Sequence, residues 1–174
     1  MKTVELTRTA IVLALIMVFY ALFKGTANIL NAMLVPLLLY AAISGLSLKG
    51  RMALFFALIF LSAIINVWQI FFSLIYFLLA VLIYLTTVWR LKLPLRITLV
   101  SVVVFISFLV SIRLTDLVFG TRIETIVLQF AGGNYFIYAA VIALEGFIVG
   151  AILVWAAYIY DQKSKKWFSL RKYF

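Results

Sequence analysis

Residues 135–160 read YFIYAAVIALEGFIVGAILVWAAYIY, an apolar run whose single charged residue is Glu145. As a helix it would extend about 39 Å, enough to cross the roughly 30 Å hydrocarbon core of a bilayer. An ionised carboxylate near the middle of a bilayer costs about 2.5–3.5 kcal/mol on insertion scales, so Glu145 is expected to face a bundle interior, a partner or a polar cavity. Gly146 and Gly150 follow it as a small-xxx-small pair, which allows another helix backbone to approach closely. This run decides the fold class: an all-α, polytopic membrane protein in which the other spans form a bundle around this helix.

Composition agrees. Of 174 residues, 68% are hydrophobic and 11% charged, against roughly 45–50% and 25% in soluble domains. There is no Cys and no His, which removes disulfides, thiolate chemistry, the commonest metal ligand and the commonest general base. With only five carboxylates, no metal-ligand spacing, phosphate-binding glycine loop or catalytic pair can be assembled. The sequence therefore implies no enzyme and no cofactor. The net charge of +10 comes without any nucleic-acid motif; in a membrane protein, the position of Lys and Arg carries the meaning.

Taken in order, the chain divides into six predicted spans at about 6–23, 32–48, 52–65, 70–88, 97–112 and 135–160, with a basic tail at 161–174, all in one domain. The first has no clean cleavage site before Lys24 and reads as an uncleaved span. Lys24 to Asn31 is a polar loop. Pro36 falls in the first turns of the second span, where a missing backbone donor does least harm. Asn66, Trp68 and Gln69 divide a run that is otherwise too long for one crossing. Trp68 and Trp89 then stand at the two ends of the fourth span, as interfacial aromatics do. Residues 113–134 form the longest segment between spans, and its apolar residues suggest an interfacial helix or a partly buried loop.

With six spans, twelve of the fifteen Lys and Arg fall on the face that holds both termini. The positive-inside rule makes that face, and both termini, cytoplasmic in the cell membrane. Attraction to anionic membrane lipid accounts for the basic tail. Polar residues collect toward the other side: Asn28, Asn31, Trp68, Gln69, Arg113, Arg122, Asn134 and, within its span, Glu145. An apolar cavity with a few convergent amides and charges suits a small-molecule ligand, and these are the candidate binding residues. On the first span, Ala10 and Ala14 are a second small-xxx-small pair, suited to packing on a neighbour in the bundle or on a separate protein.

In size, six spans and internal termini the chain resembles the substrate-binding S components of energy-coupling factor (ECF) transporters. Ala10-x-x-x-Ala14 is similar to the alanine motif through which S components dock on the coupling subunit. Ala143-Leu144-Glu145-Gly146-Phe147-Ile148-Val149-Gly150 looks like the family's final helix. The resemblance implies capture of a vitamin or similar micronutrient from outside, with the 24–31 loop as a lid and polar residues of spans four to six and their outer loops as contacts. It also implies docking through span one on a membrane coupling subunit driven by two ATPase subunits, with no ATP bound by this chain.

A second reading comes from another class: a non-transporting membrane scaffold, similar in size to the rod-shape-determining membrane proteins of bacterial wall synthesis, with the basic tail and Gly146 and Gly150 as docking surfaces. Glu145 separates the two. A transport subunit predicts it beside an outward-open cavity; a scaffold predicts it paired internally or against a partner helix.

Overall fold

In a computed structural model, residues 3–23, 29–65 and 69–170 are described, with backbone only for 29 and 164–170. Every regular element in them is a helix: α1 (Thr3–Leu22), α2 (Ile29–Ile43), α3 (Leu48–Ile65), α4 (Gln69–Val88), α5 (Leu93–Phe119), α6 (Ile123–Phe130) and α7 (Tyr135–Leu170). Helix is the element that satisfies every backbone donor and acceptor within one apolar segment, which a bilayer requires. Five of them, α1, α3, α4, α5 and Tyr135–Lys163 of α7, are long and apolar enough to cross a membrane. α2 has 15 residues, about 22 Å, and falls short of a full crossing by length alone.

The helices form two compact units. One comprises the residues up to Leu91 together with those from Ile152 onward; the other is Lys92–Ala151. In the first, α1 and α4 each pack against both α2 and α3. Their contact faces follow helical spacing: Thr9, Val12, Leu13, Ile16 and Tyr20 on α1, and Gly50, Leu54, Leu58 and Ser62 at every fourth residue of α3. Val35, Leu39, Tyr40 and Ile43 of α2 are almost wholly enclosed, as are Leu153, Val154 and Ala157 of α7. Pro36 lies about two turns into α2 rather than in its first turns, because the helix begins at Ile29.

One end of this unit is tied by its charged residues. Arg8 donates from its guanidinium to Ala41 O and to Tyr160 Oη at 3.0 Å, so it is used inside the fold instead of reaching freely to headgroups. Tyr40 Oη donates to Asp161 Oδ1 at 2.5 Å. Glu5 accepts the Ser47 N–H (3.0 Å) and hydroxyl (3.2 Å). Arg51 donates to Ile43 O and Leu46 O, both at 3.1 Å, and to Tyr84 Oη at 2.7 Å. The bonds from Arg8 to Ala41 O and from Arg51 to Ile43 O satisfy carbonyls in the last turn of α2 that would otherwise be orphaned.

α4 stops at a Schellman turn: Arg90 takes φ 53°, its N–H reaches Thr87 O (3.1 Å), and Leu91 N–H reaches Thr86 O (3.2 Å). Pro94 then opens α5 in the first turn, where its missing donor costs nothing.

In the second unit, Ala131, Tyr138 and Ile142 pack with Phe105, Phe108, Leu109, Ile112, Val127 and Leu128. α5 and α7 meet at two glycines. A Cβ on Gly146 would lie 2.9 Å from Phe105 Cα, and one on Gly150 would lie 2.6 Å from Ser101 Cα, in each case against backbone. The small-xxx-small pair is thus filled by this chain's own α5. Gly150→Leu should force the helices apart and prevent purification of a monodisperse protein, while Gly150→Ala should cost about 1–3 kcal/mol, read as a lowered detergent-unfolding midpoint. An unchanged midpoint for Gly150→Leu would refute this contact.

Candidate functional site

The polar residues singled out from the sequence fall into two groups, one in each unit. In the first unit, the last turns of α1 and α3 and the first turns of α2 and α4 come to one end. Tyr20 Oη and Ser73 Oγ are 2.9 Å apart, and Ser73 Oγ and Ser62 Oγ 2.7 Å. Ser62 Oγ also donates to Leu58 O at 2.7 Å. Gln69, 5% exposed, lies beside Tyr20, and among the described residues its buried Nε2 has no partner within hydrogen-bond geometry. Asn31, 1% exposed, donates from Nδ2 to Phe23 O at 3.3 Å, tying the start of α2 to the end of α1. Gln69 therefore joins a buried polar layer with Tyr20, Ser62, Ser73 and the buried Tyr76, residues outside the set read from the sequence, while Asn31 is buried near the same helix ends. The signal was present: hydroxyls and amides in apolar spans hydrogen-bond across helices. Asn28 and Trp68 lie outside the described residues.

In the second unit, Arg113, Arg122 and Asn134 occupy the segment between the apolar part of α5 and that of α7. α5 continues through Arg113 and Asp116 to Phe119 and ends on Gly120 in the left-handed region, φ 61°. The Asp116 carboxylate then caps α6, accepting Thr121 Oγ1 (2.6 Å), Ile123 N–H (2.8 Å) and Glu124 N–H (2.9 Å). Arg113 pairs with Glu124 at 3.7 Å across an exposed surface, a contact worth about 0–1 kcal/mol. Arg122 is exposed at the start of α6.

α6 is short and two-sided. Val127 and Leu128 face the core, while Ile126 and Phe130 are exposed, Phe130 at 89%. It closes on Gly132 and Gly133, at φ 64° and 75°, a pair of successive positive values open to glycine at little cost. Asn134 Oδ1 accepts Phe136 N–H at 2.8 Å and so begins α7 as an N-cap. Arg113, Asp116, Glu124 and Asn134 thus build the segment's own turns.

Glu145 stands apart from both groups. It is exposed on α7, between the buried Ile142 and Gly146 positions and the outward Val141, Leu144 and Ile148. Among the described residues it makes no hydrogen bond and no ion pair. Ala10 and Ala14 are likewise exposed, on the face of α1 opposite its buried stripe, with Thr7, Ile11, Leu15 and Val18 beside them. At the start of that helix Thr3, Val4, Thr7, Arg8, Ile11 and Val12 line a depression of about 420 Å³. Among the described residues no group of acidic side chains could hold a metal ion.

In comparisons with known proteins, no family model, curated sequence or solved structure matches the chain.

Two outcomes test the site's construction. Ser73→Ala and Tyr20→Phe should each cost about 0.6–1.7 kcal/mol, and the double variant should cost less than their sum in a thermal-unfolding cycle; strict additivity would show that the pair is not coupled. Asp116→Ala should speed amide exchange at Ile123 and Glu124, leaving α7 protected. Unchanged exchange there would show that the carboxylate does not hold α6.

Proposed function

We propose that this chain is a multi-pass subunit of the cell membrane that acts by docking laterally on other membrane proteins, without chemistry of its own. In this reading six segments cross the bilayer, the one built on α2 completed by residues beyond the 15-residue helix, and both termini are cytoplasmic. The observation that carries it is the outward face of α1. The small residues Ala10 and Ala14 are exposed and left open to a neighbour, whereas the glycine pair of α7 is filled from within the chain. Small residues matter at such a seam because, in lipid, helix association depends on close backbone approach.

The specific form we propose is the substrate-capturing subunit of an ECF-type importer, in which the alanine face meets the coupling subunit. The buried polar layer of Tyr20, Ser62, Gln69 and Ser73, with Asn31 near the same helix ends, then lies at the outward-facing end, where a vitamin-like ligand would be received. The buried amide of Gln69 beside Tyr20 supports a polar contact there. Exposure of Glu145 favours a second form, a non-transporting scaffold, because a carboxylate on an outward helix face suits a partner helix better than a ligand cavity.

Affinity purification of the full chain from its native membranes separates these forms. The importer form expects a coupling subunit and ATPases to co-purify, together with a small molecule released on denaturation. The scaffold form expects membrane partners with neither. Under both, Ala10→Leu with Ala14→Leu should reduce recovery of the α1 partner at least about ten-fold, since close approach is lost, while the detergent-unfolding midpoint stays within about 0.5 kcal/mol, as for substitutions away from packed sites. Unchanged recovery would overturn docking through α1.

A further inference from the structure

We infer that the Glu145 face of α7 is a second docking seam, and that its occupant is a membrane span of a different protein carrying Arg or Lys at the depth of Glu145. This rests on the reading of the chain as a docking subunit, though not on the α1 seam.

Position comes first. Glu145 lies about 15 Å from the start of α7, well inside the 29-residue candidate span Tyr135–Lys163, which puts the carboxylate at hydrocarbon depth if that span crosses a bilayer. Its side of the helix is turned away from the packed face: Val141, Leu144 and Ile148 are 51%, 62% and 50% exposed. The glycines beside it, which could have drawn another helix onto Glu145, are instead engaged by Ser101 and Phe105 of α5. No described residue answers the carboxylate.

An acid at that depth is stabilised by a cation or by several strong donors, and a dry helix face offers few waters. Charge complementarity then selects the occupant. A second copy of this chain has no suitable cation, because no Lys or Arg occurs between Arg8 and Leu22, in α2, between Met52 and Ile65, in α4, or between Tyr135 and Gln162. In α5, Arg113 is nearest, but Gly146 packs on Phe105, so Arg113 lies about 10 Å nearer the helix end than the level of Glu145. Two copies related by a two-fold axis along α7 would set carboxylate against carboxylate. The cation must come from a different polypeptide, and Arg is the better fit because its planar fork engages a carboxylate through two parallel hydrogen bonds.

The test uses the full chain in its native membranes, with a photo-crosslinking benzoylphenylalanine at Ile148 and, as control, at Phe60, which is exposed on α3. The expected result is an adduct from position 148 and not from 60, to a protein whose cross-linked span contains Arg or Lys. Yield should fall at least about ten-fold with Glu145→Gln and with Glu145→Leu. It should return when Glu145→Arg is combined with an acidic residue in place of the partner's cation. Glu145→Leu makes α7 more apolar and leaves insertion intact, so its loss of adduct reports docking and not folding. A partner span without a cation, an adduct to a second copy of this chain or to this chain's own helices, no adduct, or equal yield for Glu145→Gln would each overturn the proposal. The Ala10→Leu and Ala14→Leu variant, run in parallel, reports the α1 seam separately.

Discussion

An unsatisfied peptide group in hydrocarbon costs several kcal/mol, about the whole net stability margin of a small protein. The rest of this structure depends on that constraint. It makes every described element a helix and shifts the difficulty to the ends, where carbonyls and N–H groups lose their partners. The chain meets it with side chains at three of the described turns. Ser47 and Asn134 accept from the first N–H groups of α3 and α7. Asp116 does so for α6, and Arg8 and Arg51 donate to the last carbonyls of α2. Much of the small stock of charge in this protein is spent closing helices.

Apart from Glu145, the polar side chains deep inside the spans are hydroxyls and amides. Tyr20, Ser62 and Ser73 form a continuous line across α1, α3 and α4, so each hydroxyl has a partner and none is left facing lipid. Such bonds are individually modest, about 0.6 kcal/mol on average in bilayers, yet they are directional. Aliphatic packing tolerates a helix sliding or rotating by a few degrees; a three-membered hydroxyl chain allows only one register. The layer therefore does for specificity what the Leu, Ile and Val core does for affinity, and it sits at the end of the unit where Asn31 and Gln69 are also enclosed.

Against this economy Glu145 is the exception. Every other carboxylate is engaged: Glu5 with Ser47, Asp116 with the α6 turn, Glu124 with Arg113 and Asp161 with Tyr40. Only Glu145, the one farthest from any helix end, is turned outward without an answer among the described residues. Four acids are thus bound within the fold, and the fifth is exposed on α7 as the alanines are on α1.

The sequence by itself determined that the chain is helical, apolar enough for a bilayer, and interrupted at polar and glycine-rich turns. Each of these depends on local composition and on the peptide's need to close its own hydrogen bonds. It also marked Glu145 as costly, because cost depends on residue type and depth alone. What it left undecided is which side of each helix faces inward. A soluble helix announces its buried face through alternation of apolar and polar residues, but α1, α3 and α7 are apolar on every face. So Gly146 and Gly150 could equally have met a partner or α5, and Ala10 and Ala14 a neighbour inside or outside the chain. Only tertiary packing chose, by fitting Ser101 and Phe105 against the glycines and turning the alanines outward. The same holds for Ser62 and Ser73, eleven residues apart, and for Tyr20 and Ser73, fifty-three apart: their hydrogen bonds exist because antiparallel helices bring their ends together, which no local pattern encodes.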